Sequence, residues 1–212
     1  MIEAIKYSAN GEKVGTVQLP DSLFAASCNN PKSLLYEVVK MYLQNQRQGT
    51  VGKKGRGDVQ GSTRKLFKQK GTGGNARVGN LRTPIRRGGG MAFAIQPKDW
   101  YSPIPVKKKR LALKLALTHK ANEQQVIIIE SIKFDQPSTK VAIELINKIA
   151  PEKGKKLLVI NGTDHNIIKS FNNIPQVKMD RADGLYAYEV LNCKYLILTE
   201  DALNKAVEVF VK

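Results

Sequence analysis

Cysteine, histidine and long apolar runs are scarce in this chain of 212 residues, and each shortage excludes a class of protein. The two cysteines, Cys28 and Cys193, are too few and too far apart for a disulfide framework, so both are expected to be reduced thiols. The two histidines, His119 and His165, lack nearby Cys, His or acidic residues at the spacing of a metal site, so no metal is expected.

No apolar run approaches the roughly 20 residues that cross a bilayer, so no membrane partner is expected. The N-terminal stretch "MIEAIKYSANGEKVG" also lacks the basic flank, apolar core and cleavage site of a secretory signal. Together these absences predict a cytoplasmic protein.

Acidic residues are nearly missing from one long segment. Between residues 45 and 110 there are 17 Lys or Arg but only two acids, Asp58 and Asp99. Of the formal net charge of +17, +15 therefore falls within this segment, and the rest of the chain is nearly neutral. Cations at this density repel one another unless a polyanion neutralises them, which favours nucleic acid as the partner. A solvated linker is the alternative for the same composition.

Helical and strand periodicity is also absent from about residue 47 to residue 104, and 12 of the 17 glycines lie between Gly49 and Gly90. A loop of about 55 residues is far longer than an ordinary connection, which indicates either a function or disorder. Glycine allows close approach of the backbone to another surface, and arginine contacts phosphates and bases. We therefore predict a globular body, residues 1–46 and 105–212, and an extended basic loop, residues 47–104.

Outside this loop, the patterns predict a doubly wound α/β fold with a mainly parallel sheet and helices on both faces. The runs "QVIIIE", "KLLVI" and "KYLILT" are short and continuously apolar, as in parallel strands that are covered on both sides. Asn10-Gly11 predicts a hairpin between two alternating segments. Apolar stripes predict helices at 31–46, at 106–122, at Val141, Leu145 and Ile149, and at Leu203, Val207 and Phe210.

Four cations crowd the predicted first turn of the helix in "PVKKKRLAL", namely Lys107, Lys108, Lys109 and Arg110. The helix macrodipole disfavours cations at this end, so a negative partner is expected to compensate them. The alternative is a solvated basic face.

Two other functions stay open on the residues alone. Gly71-Thr-Gly73-Gly-Asn-Ala76 matches a dinucleotide pattern, but it neither follows a predicted strand nor opens a predicted helix. "INGTDHN", residues 160–166, does follow a strand, so a nucleotide-dependent enzyme using Thr163 and Asp164 is one alternative. A general nucleic-acid-binding protein with a basic arm is the other.

Four stretches carry a family resemblance: "RQGT" at 47–50, "KKGRGDVQGSTRKLFKQKGTG" from 53, "RTPIRRGGGMAF" from 82 and "KKKRLALKLALTHK" from 107. Together they resemble the bacterial type of ribosomal protein four of the large subunit, the uL-four family. The resemblance implies a structural, non-catalytic ribosomal protein without a cofactor or a homo-oligomer. Its loop is expected to enter large-subunit ribosomal RNA (rRNA), support assembly and line part of the peptide exit tunnel, beside protein twenty-two of the large subunit.

The resemblance also implies site residues. The residues expected to bind rRNA are Arg47, Lys53, Lys54, Arg56, Arg64, Lys65, Lys68, Lys70, Arg77, Arg82, Arg86, Arg87, Lys107, Lys108, Lys109 and Arg110. The loop tip at the tunnel is expected to comprise Lys68, Gln69, Lys70, Gly71, Thr72 and Gly73. Beyond this tip, "GTGGNAR" departs from the family pattern, because Gly74 and Asn75 stand where one residue is usual.

Overall fold

The computed structural model describes residues 2–74 and 77–211, in which the strands form one six-stranded sheet. The strands are β1 (Glu3–Tyr7), β2 (Lys13–Gln18), β3 (Val126–Ile129), β4 (Lys156–Ile160), β5 (Val177–Arg181) and β6 (Tyr195–Thr199). Their order across the sheet is β2-β1-β3-β6-β4-β5, and only the β1–β2 hairpin is antiparallel. The predicted mainly parallel α/β sheet is therefore confirmed.

Seven helices lie in the described residues. They are α1 (Asp21–Phe24), α2 (Pro31–Asn45), α3 (Val106–Asn122), α4 (Thr139–Ile149), α5 (His165–Asn172), α6 (Ala187–Asn192) and α7 (Glu200–Phe210). The Thr199 hydroxyl accepts a hydrogen bond from the Ala202 backbone N–H at 3.3 Å, so α7 begins with a side-chain cap. No helix in this part of the chain is long and apolar enough to cross a membrane.

Both faces of the sheet are covered by helices. Successive residues of β3 alternate between two buried apolar clusters, with Val126 and Ile128 in one and Ile127 and Ile129 in the other. The first cluster includes residues of α1, α2, α3, α6 and α7, whereas the second includes residues of α4 and α5. This two-sided burial explains why the central strands are apolar at every position.

One residue of the stripe predicted at Val141, Leu145 and Ile149 was wrong, whereas Leu145 and Ile149 are buried as predicted. Val141 is 48% exposed, and α4 instead buries Ala142, Leu145, Ile146 and Ile149. These four residues follow the i, i+3, i+4, i+7 spacing of one helix face, and Val141 lies at its margin.

The described chain separates into two compact units. Residues Gln44–Ser102, called here the basic segment, form one unit, and the remaining described residues form the other. Neither of the two apolar clusters includes a residue of the basic segment. The stability of the sheet and its helices therefore depends on residues outside this segment.

A polar cluster joins β5 to α6. The buried Glu189 carboxylate accepts hydrogen bonds from the Lys178 ammonium and from the Tyr186 hydroxyl. Asp180 Oδ2 and Glu189 Oε2 are buried without a hydrogen-bond partner in the described residues. Burial raises the pKa of Asp180 to about 6, and the neighbouring Glu189 carboxyl adds to the rise. A hydrogen bond between the Asp180 and Glu189 carboxyl groups requires one proton, and this requirement favours the protonated form of Asp180.

The raised pKa of Asp180 predicts a pH-dependent gain from Asp180→Asn. An acid with a raised folded-state pKa stabilises the fold below its ordinary pKa and loses this contribution as pH rises through about 6. Asparagine cannot ionise, so we expect the variant to melt about 2–4 °C above the natural chain at alkaline pH, for a gain of about 1 kcal/mol. The difference should vanish in acid. Asp183→Asn, which alters an exposed carboxylate nearby, is the matched control, and an equal shift at both pH values contradicts the assignment.

Removing most of the basic segment should leave the body folded. We expect a chain in which residues 52–90 are replaced by a short Gly-Ser linker to keep one cooperative thermal transition, because both apolar clusters remain complete. Calorimetry and circular dichroism measure this. A loss of cooperative unfolding would mean that the segment is required for the core.

Candidate nucleic-acid interface

The basic segment has an outgoing limb, which precedes the predicted tip, and a returning limb, which follows it. Backbone hydrogen bonds join the two limbs. Lys98 N–H donates to the Gly49 carbonyl at 3.0 Å, and Lys53 N–H donates to the Ile95 carbonyl at 2.8 Å. At the ends of the segment, the Asn45 amide bonds both the N–H and the carbonyl of Ser102, at 2.8 and 3.3 Å. These bonds hold the outgoing and returning chain together although residues 46–74 and 77–105 contain no helix or named strand.

Two glycines are required where the limbs touch. A Cβ atom on Gly90 would lie 2.4 Å from Cα and N of Arg56, and one on Gly49 would lie 1.9 Å from the Lys98 carbonyl oxygen. Gly49 also has a φ of +67°, which favours glycine. Glycine was predicted to allow close backbone approach, and at these two positions the surface approached is the protein's own backbone.

Both acids of the segment accept hydrogen bonds from nearby backbone N–H groups. Asp58 Oδ2 accepts a hydrogen bond from Gly55 N–H at 3.0 Å, and Asp99 Oδ1 accepts one from Tyr101 N–H at 2.8 Å. Throughout residues 2–74 and 77–211, no salt bridge involves a Lys or Arg of the segment. The positive charge of the segment is therefore not neutralised by its own carboxylates.

The segment presents most of its predicted RNA-binding cations to solvent. Arg82 and Arg86 are half-buried. The exposed ones are Arg47, Lys53, Lys54, Arg56, Arg64, Lys65, Lys68, Lys70, Arg77 and Arg87. Exposed cations without carboxylate partners can bind the phosphates of a polyanion without first breaking an ion pair.

The predicted tip is organised by an arginine from the returning limb. The Arg77 guanidinium donates hydrogen bonds to the carbonyls of Gln69 and Gly73. Gly71 and Gly73 have φ values of +80° and +74°, which a side chain would strain. Arg77 thus shapes the tip as well as adding charge to it. Asn75, the second residue of the departure from the family pattern, lies outside the described residues.

The four cations at the start of α3 have a partial internal counterion. Lys108 Nζ lies 3.0 Å from a carboxylate oxygen of Glu37 on α2, in a pair that is about half exposed. Exposed pairs of this kind contribute about 0–1 kcal/mol. Pro105 precedes the helix and provides no side-chain cap, so the first turn remains strongly positive.

Sequence patterns did not reveal how the large apolar side chains of the segment are arranged. Phe93 and Ile85 are 95% and 86% exposed, so each presents a face for stacking or packing. Trp100 lies under Arg47, whose guanidinium carbon is 3.7 Å from the ring centroid, with Lys98 Nζ at 4.8 Å. Arg47 and Trp100 are more than 50 residues apart, which is why no local pattern could pair them.

The alternative nucleotide site occupies the predicted place but has few features of an active centre. Thr163 lies in the loop between β4 and α5, beside a cavity of about 350 Å³ that Asp180 also lines. Asp164 immediately precedes α5 without capping it through its side chain. Residues 71–74 of the dinucleotide-like pattern open no helix, and Ala76 lies outside the described part of the chain. In the described residues, no three His, Cys, Asp or Glu side chains are grouped for a metal.

Comparison with known proteins identifies the family. A family model described as "Ribosomal protein L4/L1 family" matches residues 17–209. A protein named "Large ribosomal subunit protein uL4" from Carboxydothermus hydrogenoformans is 44% identical over 204 residues, covering 96% of this chain and 97% of the relative. Proteins of the same name from Desulforamulus reducens, 42% identical over 96% of both chains, and Halothermothrix orenii, 36% identical over 100% of both, are also similar. The chain therefore belongs to the ribosomal protein L4/L1 family, as a structural constituent of the large ribosomal subunit and not an enzyme.

Proposed function

We propose that the chain binds large-subunit rRNA through the basic segment and supports assembly of the subunit. The observation that carries this proposal is the charge of the segment: its thirteen Lys and Arg face only two acids, and both acids bond backbone N–H groups. Ordering so many like charges is unfavourable until an anion neutralises them. rRNA provides regularly spaced phosphates within the particle to which this family belongs.

The interface extends from the basic segment to the start of α3 in this proposal. Lys107, Lys108, Lys109 and Arg110 add positive charge at the start of the helix, where phosphate is also favoured by the macrodipole. The body, residues 1–46 and 105–212, is the folded support, and the extended loop, residues 47–104, is the RNA-binding element. The protein acts in the cytoplasm, within the ribosome.

The loop tip lines part of the peptide exit tunnel in this proposal, next to protein twenty-two of the large subunit. The support is the family resemblance of residues 53–73 together with the positive φ values of Gly71 and Gly73, which bend the chain there. A turn built from glycines leaves little side-chain bulk, which suits a position where RNA and a passing peptide are both close.

Binding to rRNA should depend strongly on salt. Each neutralised phosphate lowers log K by about 0.7–0.9 for a tenfold rise in salt, so six to ten engaged cations reduce affinity by roughly four to nine orders of magnitude per decade. Filter binding of the intact chain to a large-subunit rRNA fragment measures the slope. The chain lacking residues 52–90 should give a much smaller slope, and a slope near zero for the intact chain contradicts the proposal.

The cellular protein should sediment with large ribosomal subunits. Because the family consists of large-subunit constituents, we expect the chain to migrate with large subunits at moderate salt. This co-migration should be lost when the basic segment is removed. Quantitative immunodetection across a sucrose gradient provides the measurement. Migration with free nucleoid in place of large subunits would instead support a general nucleic-acid-binding protein with a basic arm.

Changes at the tip should alter the response to drugs that bind the tunnel. Lys70→Glu reverses a charge, and Gly71→Asp places a side chain at a φ of +80°, with a strain of about 1 kcal/mol or more. We expect both variants to assemble into large subunits that show altered sensitivity to tunnel-binding macrolides. Inhibition of translation and drug footprinting on purified ribosomes measure the effect.

Two other variants provide the contrast. Lys70→Arg keeps the charge and should respond as the natural protein does. Loss of both Arg86 and Arg87 should impair assembly but leave the drug response of completed subunits unchanged. If the Lys70→Glu and Gly71→Asp subunits assemble and respond normally, the tip does not reach the tunnel.

A further inference from the structure

A cavity of about 580 Å³ lies within the basic segment, near the end closed by Asn45 and Ser102. Residues 47–51 of the outgoing limb form one wall, and Ile95, Gln96, Lys98 and Trp100 of the returning limb form the other. The Lys98–Gly49 backbone hydrogen bond joins these walls. The volume lies within the range typical of small-ligand sites, about 300–1,000 Å³.

The lining has the mixed chemistry of a nucleotide site. Arg47 and Lys98 bring two cations, and no acid lines the cavity. Gln48 and Gln96 bring two amides, each of which both donates and accepts hydrogen bonds. The indole of Trp100 adds a flat aromatic surface. Cations suit a phosphate, amides suit the edge of a base, and an aromatic ring suits its face.

Arg47 and Trp100 already form a stacked pair, called here the Arg47–Trp100 platform. The guanidinium carbon lies 3.7 Å from the centre of the indole, which is the spacing of a stacked pair. Arginine planes and aromatic rings are both surfaces on which unpaired bases stack. The close approach of Gly49 to Lys98 and Trp100 fixes the backbone beneath the platform, because a Cβ on Gly49 would lie 3.0 Å from Trp100 Cδ1.

We propose that this cavity binds one unpaired nucleotide of RNA. Its base stacks on the Arg47–Trp100 platform, its phosphate bonds Lys98, and the amides of Gln48 and Gln96 contact the edge of the base. The proposal rests on the proposed binding of rRNA and adds a contact of another kind, since it requires a base that is free of its helix. The remaining cations of the segment contact phosphates, whether the RNA is paired or not.

An acidic peptide is the other polyanion that two cations could bind. Its carboxylates would contact the cations but would not use the platform or the two amides. An unpaired nucleotide uses the charge, the amides and the ring at once. Failure to bind RNA combined with binding of a poly-glutamate peptide would favour the peptide.

Trp100 is the only tryptophan of the chain, so its fluorescence reports on this cavity alone. The full chain is titrated with a short RNA hairpin that has unpaired loop nucleotides, and with a blunt RNA duplex of equal phosphate number. We expect both to bind, and only the hairpin to quench Trp100. Equal quenching by the two RNAs, or quenching by neither when both bind, overturns the proposal.

The affinities of variants for the two RNAs also test whether the cavity binds an unpaired nucleotide. Stacking of one base contributes about 1–3 kcal/mol, so Trp100→Ala should lower hairpin affinity about five- to hundredfold and duplex affinity much less. Trp100→Phe keeps an aromatic face and should retain most of the preference for the hairpin. Arg47→Ala should reduce the preference, whereas Arg64→Ala, which removes a cation outside the cavity, should weaken binding to both RNAs by the same factor.

RNA binding by the chain and nucleotide binding by the cavity are distinguished by different outcomes. If neither RNA binds the full chain at low salt, the proposed RNA-binding function is wrong. If both bind with equal affinity to the natural chain and to Arg47→Ala, RNA binding stands and the nucleotide cavity is wrong. Circular dichroism of each variant confirms that an altered affinity does not come from an unfolded body.

Discussion

Repulsion between like charges is the constraint on which the structure of residues 44–102 depends. Thirteen cations and two acids share a segment that contributes nothing to the two buried apolar clusters, so burial cannot hold it together. Backbone hydrogen bonds between the limbs replace a core, and Gly49 and Gly90 allow the contacts. Because these bonds use no side-chain charge, the cations remain available to a partner.

The body follows the opposite principle: it carries a formal charge of +6 against +11 for residues 47–104, and its stability comes from apolar burial. β3, β4 and β6 are the shared wall of the two clusters, so helices on either side depend on the same three strands. Glu189 is one of the polar residues buried in the body; Lys178 and Tyr186 satisfy one of its oxygens, and a proton on Asp180 can satisfy the other. Apolar burial thus holds the body, whereas the described residues of the basic segment contribute nothing to either apolar cluster.

The fold was more predictable from sequence than the site. Strands buried on both faces are continuously apolar, so β3, β4 and β6 were evident, whereas the edge strand β5, "VKMDR", mixes charge with half-buried positions and gave no such signal. The basic residues of the candidate site were also evident, because local composition alone shows them. The stacking of Arg47 on Trp100 and the contact of Gly90 with Arg56 were not, because both depend on which parts of an irregular segment meet.

The parallel pairing of β1 with β3 has a consequence for synthesis of the chain. The basic segment is encoded between these strands, so roughly 120 residues must be added after β1 before its partner exists, which takes roughly 6–24 s at about 5–20 residues per second. During this interval the β1–β2 hairpin has an unpaired edge and too little surface for independent stability. The cations meanwhile emerge among cellular nucleic acids. The time for which the incomplete chain can bind other nucleic acids is thus set by the strand order and the elongation rate. It does not depend on the stability of the finished fold.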